Sequence, residues 1–362
     1  MEPGELFVFV GTYTRSKSEG VYVYRMNPSE GVLRPASPPA SVQDPMFLAL
    51  DPGNRFLYAV TEAYGPADSP AGLVSAFSID PATGGLTFLN RQSTRGDGAC
   101  HLTVDATGRT LLVANYGSGS VAALPVGDDG TLGEPLDFFQ HEGRSVDDER
   151  QEGPHAHSIS LDGPNRHALV ADLGLDQILS YELDAEQGRL RRTDVTPVRT
   201  APGAGPRHLD FHPGGQYVYV INELNSTIAA YGYEQTSGRL TDLQTVATIP
   251  AGFSGANHCA DIHVSPAGDF VYGSNRGHDS IVIFAIDPDS GRLDYVGNEP
   301  SRGETAQNFV IDPSGELMLV ANIDSDTVVA FRVDRRTGKL EATGHVANVP
   351  EPACLKLMPA GM

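Results

Sequence analysis

The chain has 362 residues, with 46 acidic side chains against 25 basic ones and a formal net charge of −21. That balance argues against a nucleic-acid partner, which needs Lys/Arg patches, and it requires a locally positive pocket for any anionic ligand. No apolar run approaches the ~18 residues of a membrane helix, and the three cysteines are too scattered for a disulfide framework.

The opening MEPGELFVFVGTY lacks the basic-then-apolar layout of a signal peptide, so a cytoplasmic protein is expected. A monomer or weak homo-oligomer is expected as well, with no cofactor, no metal and no membrane partner. Residues 5–13 read as one alternating strand, and beyond them the chain repeats itself. The tripeptide G-x-L recurs at 31–33, 84–86, 130–132, 188–190, 238–240, 291–293 and 338–340, after a turn-rich lead. In register with it, an alternating strand runs into a turn of the D-P-x-G type that starts at Asp51, Asp105, Asp162, His212, Ser265 and Asp312. A second strand leaves each turn and ends at Thr61, Asn115, Asp172, Asn222, Asn275 and Asn322, always ten positions after the turn begins.

Each unit is therefore four short strands over roughly 50 residues, the size of a β-propeller blade. The segment PACLKLMPAG at 352–361 matches a first strand and turn, and 5–13 matches a second strand. The expectation is a single all-β domain over 1–362, a seven-bladed β-propeller with four-stranded antiparallel blades. Pairing of the N- and C-terminal strands in one blade would close the ring and remove its free sheet edges.

A repeat also separates scaffold from chemistry. A residue type that recurs in one slot reads as structural, and one that breaks the slot is a site candidate. The strand-end slot, nearly all Asn or Asp, reads as scaffold. The next slot holds Glu62, Tyr116, Leu173, Glu223, Arg276 and Ile323. The slot five residues before each turn holds Met46, Cys100, His157, Arg207, Ala260, Gln307 and Ala353. In an antiparallel hairpin these two slots lie at the same end. Glu62, His157, Arg207, Glu223 and Arg276 should then converge at one mouth of the central channel.

Polar residues two and four positions before the turns, among them His101, His208, Asp210, Asp261, His263 and Lys356, would line the channel, with Asp261 and His263 reaching a ligand. One loop, HEGRSVDDERQEGPHAHS at 141–158, exceeds what the repeat needs. Its His155 and His157 have metal-ligand spacing but no third ligand nearby, so a lid or substrate-contacting loop is expected. For His141 and Arg150, solvated and functional roles both stay open.

Two arginines, a glutamate and one or two histidines suit a small anionic ligand. Guanidinium forks bind phosphate or carboxylate and stabilise an oxyanion, while Glu and His move protons. A purely structural Arg207–Glu223 ion pair is the rival reading.

The stretches GAGPRHLDFHP (203–213), VINELNS (220–226), ADIHVSP (260–266) and SNRGHDSI (274–281) resemble the lactonase family of seven-bladed propellers, and the likeness spans nearly the whole chain. The resemblance implies hydrolysis of a sugar lactone, 6-phosphogluconolactone of the pentose phosphate pathway being the expected substrate. The family also includes fungal carboxymuconate-lactonizing enzymes, whose proposed catalytic groups would fall on His157, Arg207, Glu223 and Arg276. On that basis Glu223 activates water, Arg207 and Arg276 bind the anionic group and the oxyanion, and His157 positions substrate or protonates the leaving oxygen. Glu62, His155, His208, Asn222, Asp261 and His263 are the expected substrate contacts. Family members often carry an arginine where this chain has Gln307, which bears on whether its substrate is phosphorylated. A carboxymuconate lyase, a calcium-dependent lactonase using the Asn/Asp strand ends, and a non-catalytic binding propeller are the alternatives at this point.

Overall fold

The computed structural model describes residues 4–62 and 72–361, and no helix occurs among them. Seven antiparallel sheets form a ring. Their innermost strands are Phe47–Leu50, Ala99–Val104, Ala156–Leu161, Pro206–Phe211, His258–Val264, Ala306–Ile311 and Pro352–Pro359. Each contacts the next, and the last contacts the first. Six sheets have four strands. In the blade that begins at Ala156 the outer strand arrives in two pieces, Arg189–Arg192 and Val198–Arg199, both paired with Gln177–Asp184. Ring closure is as expected: Leu6–Thr12 pairs antiparallel with Pro352–Pro359, Phe9 opposite Lys356.

Both repeated turns have a physical cause. Asp51 Oδ1 accepts from the backbone N–H of Arg55 and Phe56 at 2.6 and 2.7 Å. Asp105, Asp162 and Asp312 do the same for the residues four and five positions on, and Ser265 does so with its hydroxyl. The seven G-x-L glycines have φ between 64° and 82°, a left-handed range that side chains resist. At Gly130 an added Cβ would also lie 2.3 Å from the Phe56 ring of the neighbouring blade.

The core is a set of wedges between blades. Tyr219, Ile221 and Ile228 of one blade pack on Ile262, Val271 and Phe284 of the next. Burial of side chains this size stabilises by about 1.5–3 kcal/mol each, enough across the ring to hold charged groups rigidly at its mouth. The strand-end residues Asn115 and Asn275 use their side-chain oxygens locally, whereas Thr61 Oγ1, Asn222 Oδ1 and Asn322 Oδ1 are buried without a hydrogen bond among the described residues. Asn115 Oδ1 accepts from Thr94 Oγ1 at 2.7 Å, and Asn275 Oδ1 accepts from Thr248 Oγ1 at 2.8 Å.

Candidate active site

A cavity of about 350 Å³ opens where all seven blades meet, with Tyr13, Phe47, Cys100, His157, Arg207, Arg276 and Gln307 each arriving from a different blade. The backbone explains why one slot faces it. The ladder shifts register between Ala99 and His101, Ala156 and Ser158, Pro206 and His208, and Ala306 and Asn308. The residue skipped each time is Cys100, His157, Arg207 or Gln307. An extra residue at such a bulge leaves the ladder and turns its side chain out of the alternating pattern, here into the mouth. Glu223 follows the return strand Tyr217–Asn222, and its N–H donates to Gly205 O at 2.7 Å.

Three guanidinium groups converge on the Glu223 carboxylate. Arg207 Nε donates to Oε2 at 2.9 Å, Arg276 Nη2 lies 3.1 Å from Oε2, and Arg150 Nη2 donates to Oε1 at 2.7 Å. Arg207 and Arg276 are also fixed to the backbone. Arg207 Nη1 donates to Ala260 O at 2.7 Å, and Arg276 donates through Nη2 to Cys259 O at 3.0 Å and through Nε to His258 O at 3.2 Å. Gln307 Oε1 accepts from Arg276 Nη1 at 3.1 Å.

Burial alone would raise the Glu223 carboxyl, but Arg276, Arg207 and Arg150 together pull it down to about 2. A carboxylate so held is a poor proton acceptor at neutral pH. His157 Nε2 faces Glu223 Oε2 at 3.9 Å. Burial first, then the charges of Arg207 and its neighbours, holds the imidazole well below its ordinary value, so it is neutral at pH 7.

Of the expected substrate contacts, His208 reaches the mouth cavity and forms part of its floor. Its Nε2 lies 3.2 Å from Arg207 Nη1 and its Nδ1 lies 2.8 Å from Asp261 Oδ1. Asp261 and His263 sit deeper, in a second space of about 340 Å³ along the channel. There Asp261 Oδ2 meets His263 Nε2 at 3.1 Å and accepts from Asn308 Nδ2 at 2.5 Å. His155 turns aside. Its ring stacks on Tyr116 with centroids 4.4 Å apart, and its Nδ1 lies 2.9 Å from Tyr116 O. Asn222 is buried, donating from Nδ2 to Thr227 Oγ1 at 2.9 Å. The Glu62 side chain lies outside the described residues. Among the described residues no three His, Cys, Asp or Glu side chains converge as metal ligands.

The 141–158 loop resolves into two roles. His141 is fully buried, its Nδ1 2.6 Å from Asp172 Oδ2 and its Nε2 2.8 Å from Tyr181 OH, so it anchors the loop. Arg150 belongs to the guanidinium cluster. Sequence comparison also passed over Tyr13. It follows Thr12, the end of Leu6–Thr12, so carrying the strand-end register across the ring closure would have placed it beside Tyr116 and Glu223.

Comparison with known proteins agrees with this geometry. Residues 7–357 match the family described as Lactonase, 7-bladed beta-propeller. The chain is 38% identical to the 6-phosphogluconolactonase of Bacillus subtilis over 304 residues, 84% of each protein. It is 37% identical to the 6-phosphogluconolactonase of Formosa agariphila, over 84% of this chain and 86% of that one. Among solved structures, the periplasmic gluconolactonase of Pseudomonas aeruginosa superposes with a TM-score of 0.92 at 33% identity, covering 99% of this chain and 100% of that one. The chain belongs to the lactonase family of seven-bladed β-propellers.

Proposed function

We propose that the chain hydrolyses 6-phosphogluconolactone to 6-phosphogluconate, a step of the oxidative pentose phosphate pathway, at the seven-blade mouth. The observation that carries this reading is the convergence of three guanidiniums and one neutral imidazole on a single cavity. Relatives named 6-phosphogluconolactonase support it. Among the described residues no helix could cross a membrane.

The lactone carbonyl oxygen sits against Arg207 and Arg276. Because both are already tied to backbone carbonyls, they meet the developing oxyanion without reorganising. Water attacks C1 and gives its proton to His157 Nε2. The imidazolium so formed faces Glu223, whose negative charge stabilises it. The tetrahedral intermediate then collapses. The bond from C1 to the ring oxygen breaks, the imidazolium returns its proton to that oxygen, and the new carboxylic acid ionises in solvent.

In this scheme Glu223 gathers the arginines and balances His157, and does not itself take the proton from water. Burial is the larger cause of the low His157 basicity and the charge of Arg207 the second; an anionic substrate offsets that second part and makes the imidazole a better base. Asp261 acts through His208: accepting from Nδ1–H, it leaves Nε2 as the acceptor that orients Arg207 Nη1. The test is turnover of the purified protein on freshly generated 6-phosphogluconolactone, with spontaneous hydrolysis subtracted. Acceleration well above background is expected, and none would overturn the reading.

A further inference from the structure

We propose that Arg150 selects a phosphorylated lactone over an unphosphorylated one, by binding the phosphate through guanidinium donors that the fold leaves uncommitted. The inference rests on the lactonase reading and adds to it the recognition of one substituent.

The three arginines of the mouth are not equivalent. The Arg207 side chain is 4% exposed and that of Arg276 is 20% exposed, and backbone carbonyls fix both. Arg150 is 36% exposed. Its contacts in the site, to Glu223 Oε1 at 2.7 Å and Tyr116 OH at 3.3 Å, both use Nη2. Its Nη1 and Nε make no hydrogen bond among the described residues. Such a group keeps donors and freedom to meet a ligand.

Its backbone, in contrast, is held. Arg150 N donates to Asp147 Oδ1 at 3.0 Å, and Ser145 N donates to Gln151 O at 3.0 Å. Gln151 Nε2 reaches Leu173 O at 2.8 Å, and Ser145 Oγ reaches Asp176 Oδ2 at 2.6 Å. The loop therefore presents a fixed stem with an adaptable fork at the rim. Fixed guanidiniums suit charge that appears during the reaction; an adaptable one suits charge the substrate already carries.

Charge balance points the same way. With Glu223 ionised and His157 neutral, three guanidiniums and one carboxylate leave the cavity with two surplus positive charges, inside a molecule whose net charge is −21. A phosphate monoester carries about −1.5 to −2 at pH 7 and matches that surplus. An unphosphorylated sugar lactone is neutral and leaves it unmatched. The volume, about 350 Å³, falls within the range of roughly 300–1,000 Å³ usual for small-ligand pockets.

The experiment compares kcat/KM for 6-phosphogluconolactone and glucono-δ-lactone in the wild type, Arg150→Met and Arg150→Lys. Loss of the Glu223 contact should slow both substrates, so the readout is their ratio. Arg150→Met should lower the preference for the phosphorylated lactone about 10- to 100-fold, the worth of one charge-assisted contact, mainly through KM. Inorganic phosphate should become a weaker competitive inhibitor by a similar factor. Arg150→Lys, which keeps the charge without the fork, should fall between. An unchanged ratio with an unchanged phosphate inhibition constant would overturn the assignment while leaving the lactonase reading intact. A wild-type protein inert on both lactones would instead remove the lactonase reading itself.

Discussion

Each inner hairpin has a turn end and a mouth end, and the two have diverged. At the turn end one device serves five of the seven blades: a side-chain oxygen that accepts from two backbone N–H groups four and five positions on. At the mouth end the same bulge recurs, but the side chain it projects is Cys, His, Arg or Gln according to the blade. The backbone repeats at both ends, and only the mouth varies what it presents. Repetition marks what the ring needs to close, and departure from it marks what meets a ligand.

That contrast can be broken most directly at Glu223. Replacing it with Gln keeps the shape but leaves three guanidiniums without their shared counter-charge. Turnover is expected to fall about 100-fold or more, roughly 2.7 kcal/mol of transition-state stabilisation; near-wild-type kinetics would dissolve the distinction between the ends. Asp261→Asn, one residue removed from the cavity, should lower kcat about 10-fold and move KM little, because Arg207 loses its fixed orientation. A double variant with His208→Gln should be no worse than the more damaged single one, which separates positioning from general loss of stability.

Asp105→Ala tests the turn end. It should cost about 2–3 kcal/mol in urea unfolding with kcat unchanged, since the backbone donors of Thr107, Arg109 and Thr110, the Thr107 hydroxyl and Asn165 Nδ2 of the next blade all lose a partner far from the mouth. The smallest effect expected is a pH dependence of the melting temperature. Glu223 is depressed to about 2 from 4.5, so its contribution is present above about pH 4.5 and is lost as pH falls toward 2. At His263 burial opposes the charge, but Asp261 and Asp210 override it and push the imidazole up to about 10. Its contribution is complete below about pH 6.5 and fades as pH rises through 10, and His263→Asn should flatten that alkaline limb.

The fold was legible in the sequence because its signals are local and repeated. An Asp or Ser that caps a turn and a glycine forced to positive φ each act within a few residues, and seven copies reinforce one another. His157, Arg207, Glu223 and Arg276 were legible as exceptions to that pattern. Their electrostatics were not: Glu223 is a hub because Arg276 and Arg207 both close on its carboxylate and Arg150, which belongs to no repeat slot and is 73 positions away in sequence, adds a third contact. Depth along the channel was equally hidden. Asp261 and Arg207 occupy neighbouring slots and each falls within a register shift, yet Arg207 turns to the mouth while Asp261 faces the deeper channel. Asn222 shows the opposite limit. Its type recurs at the strand ends, and it is buried with its Nδ2 donating to Thr227 Oγ1 of the same blade.

The shared blade gives the protein a birth order. Leu6–Thr12 is made before Pro352–Pro359, so its inner edge stays unpaired until the later strand emerges from the ribosome. Throughout that interval the nascent chain carries an open β-template able to recruit the wrong partner. The mouth also lacks Ala353 on one wall until then. Translation arrested shortly before residue 352 should therefore leave an association-prone chain with an unfinished pocket, and completing the ring both seals the template and assembles the site.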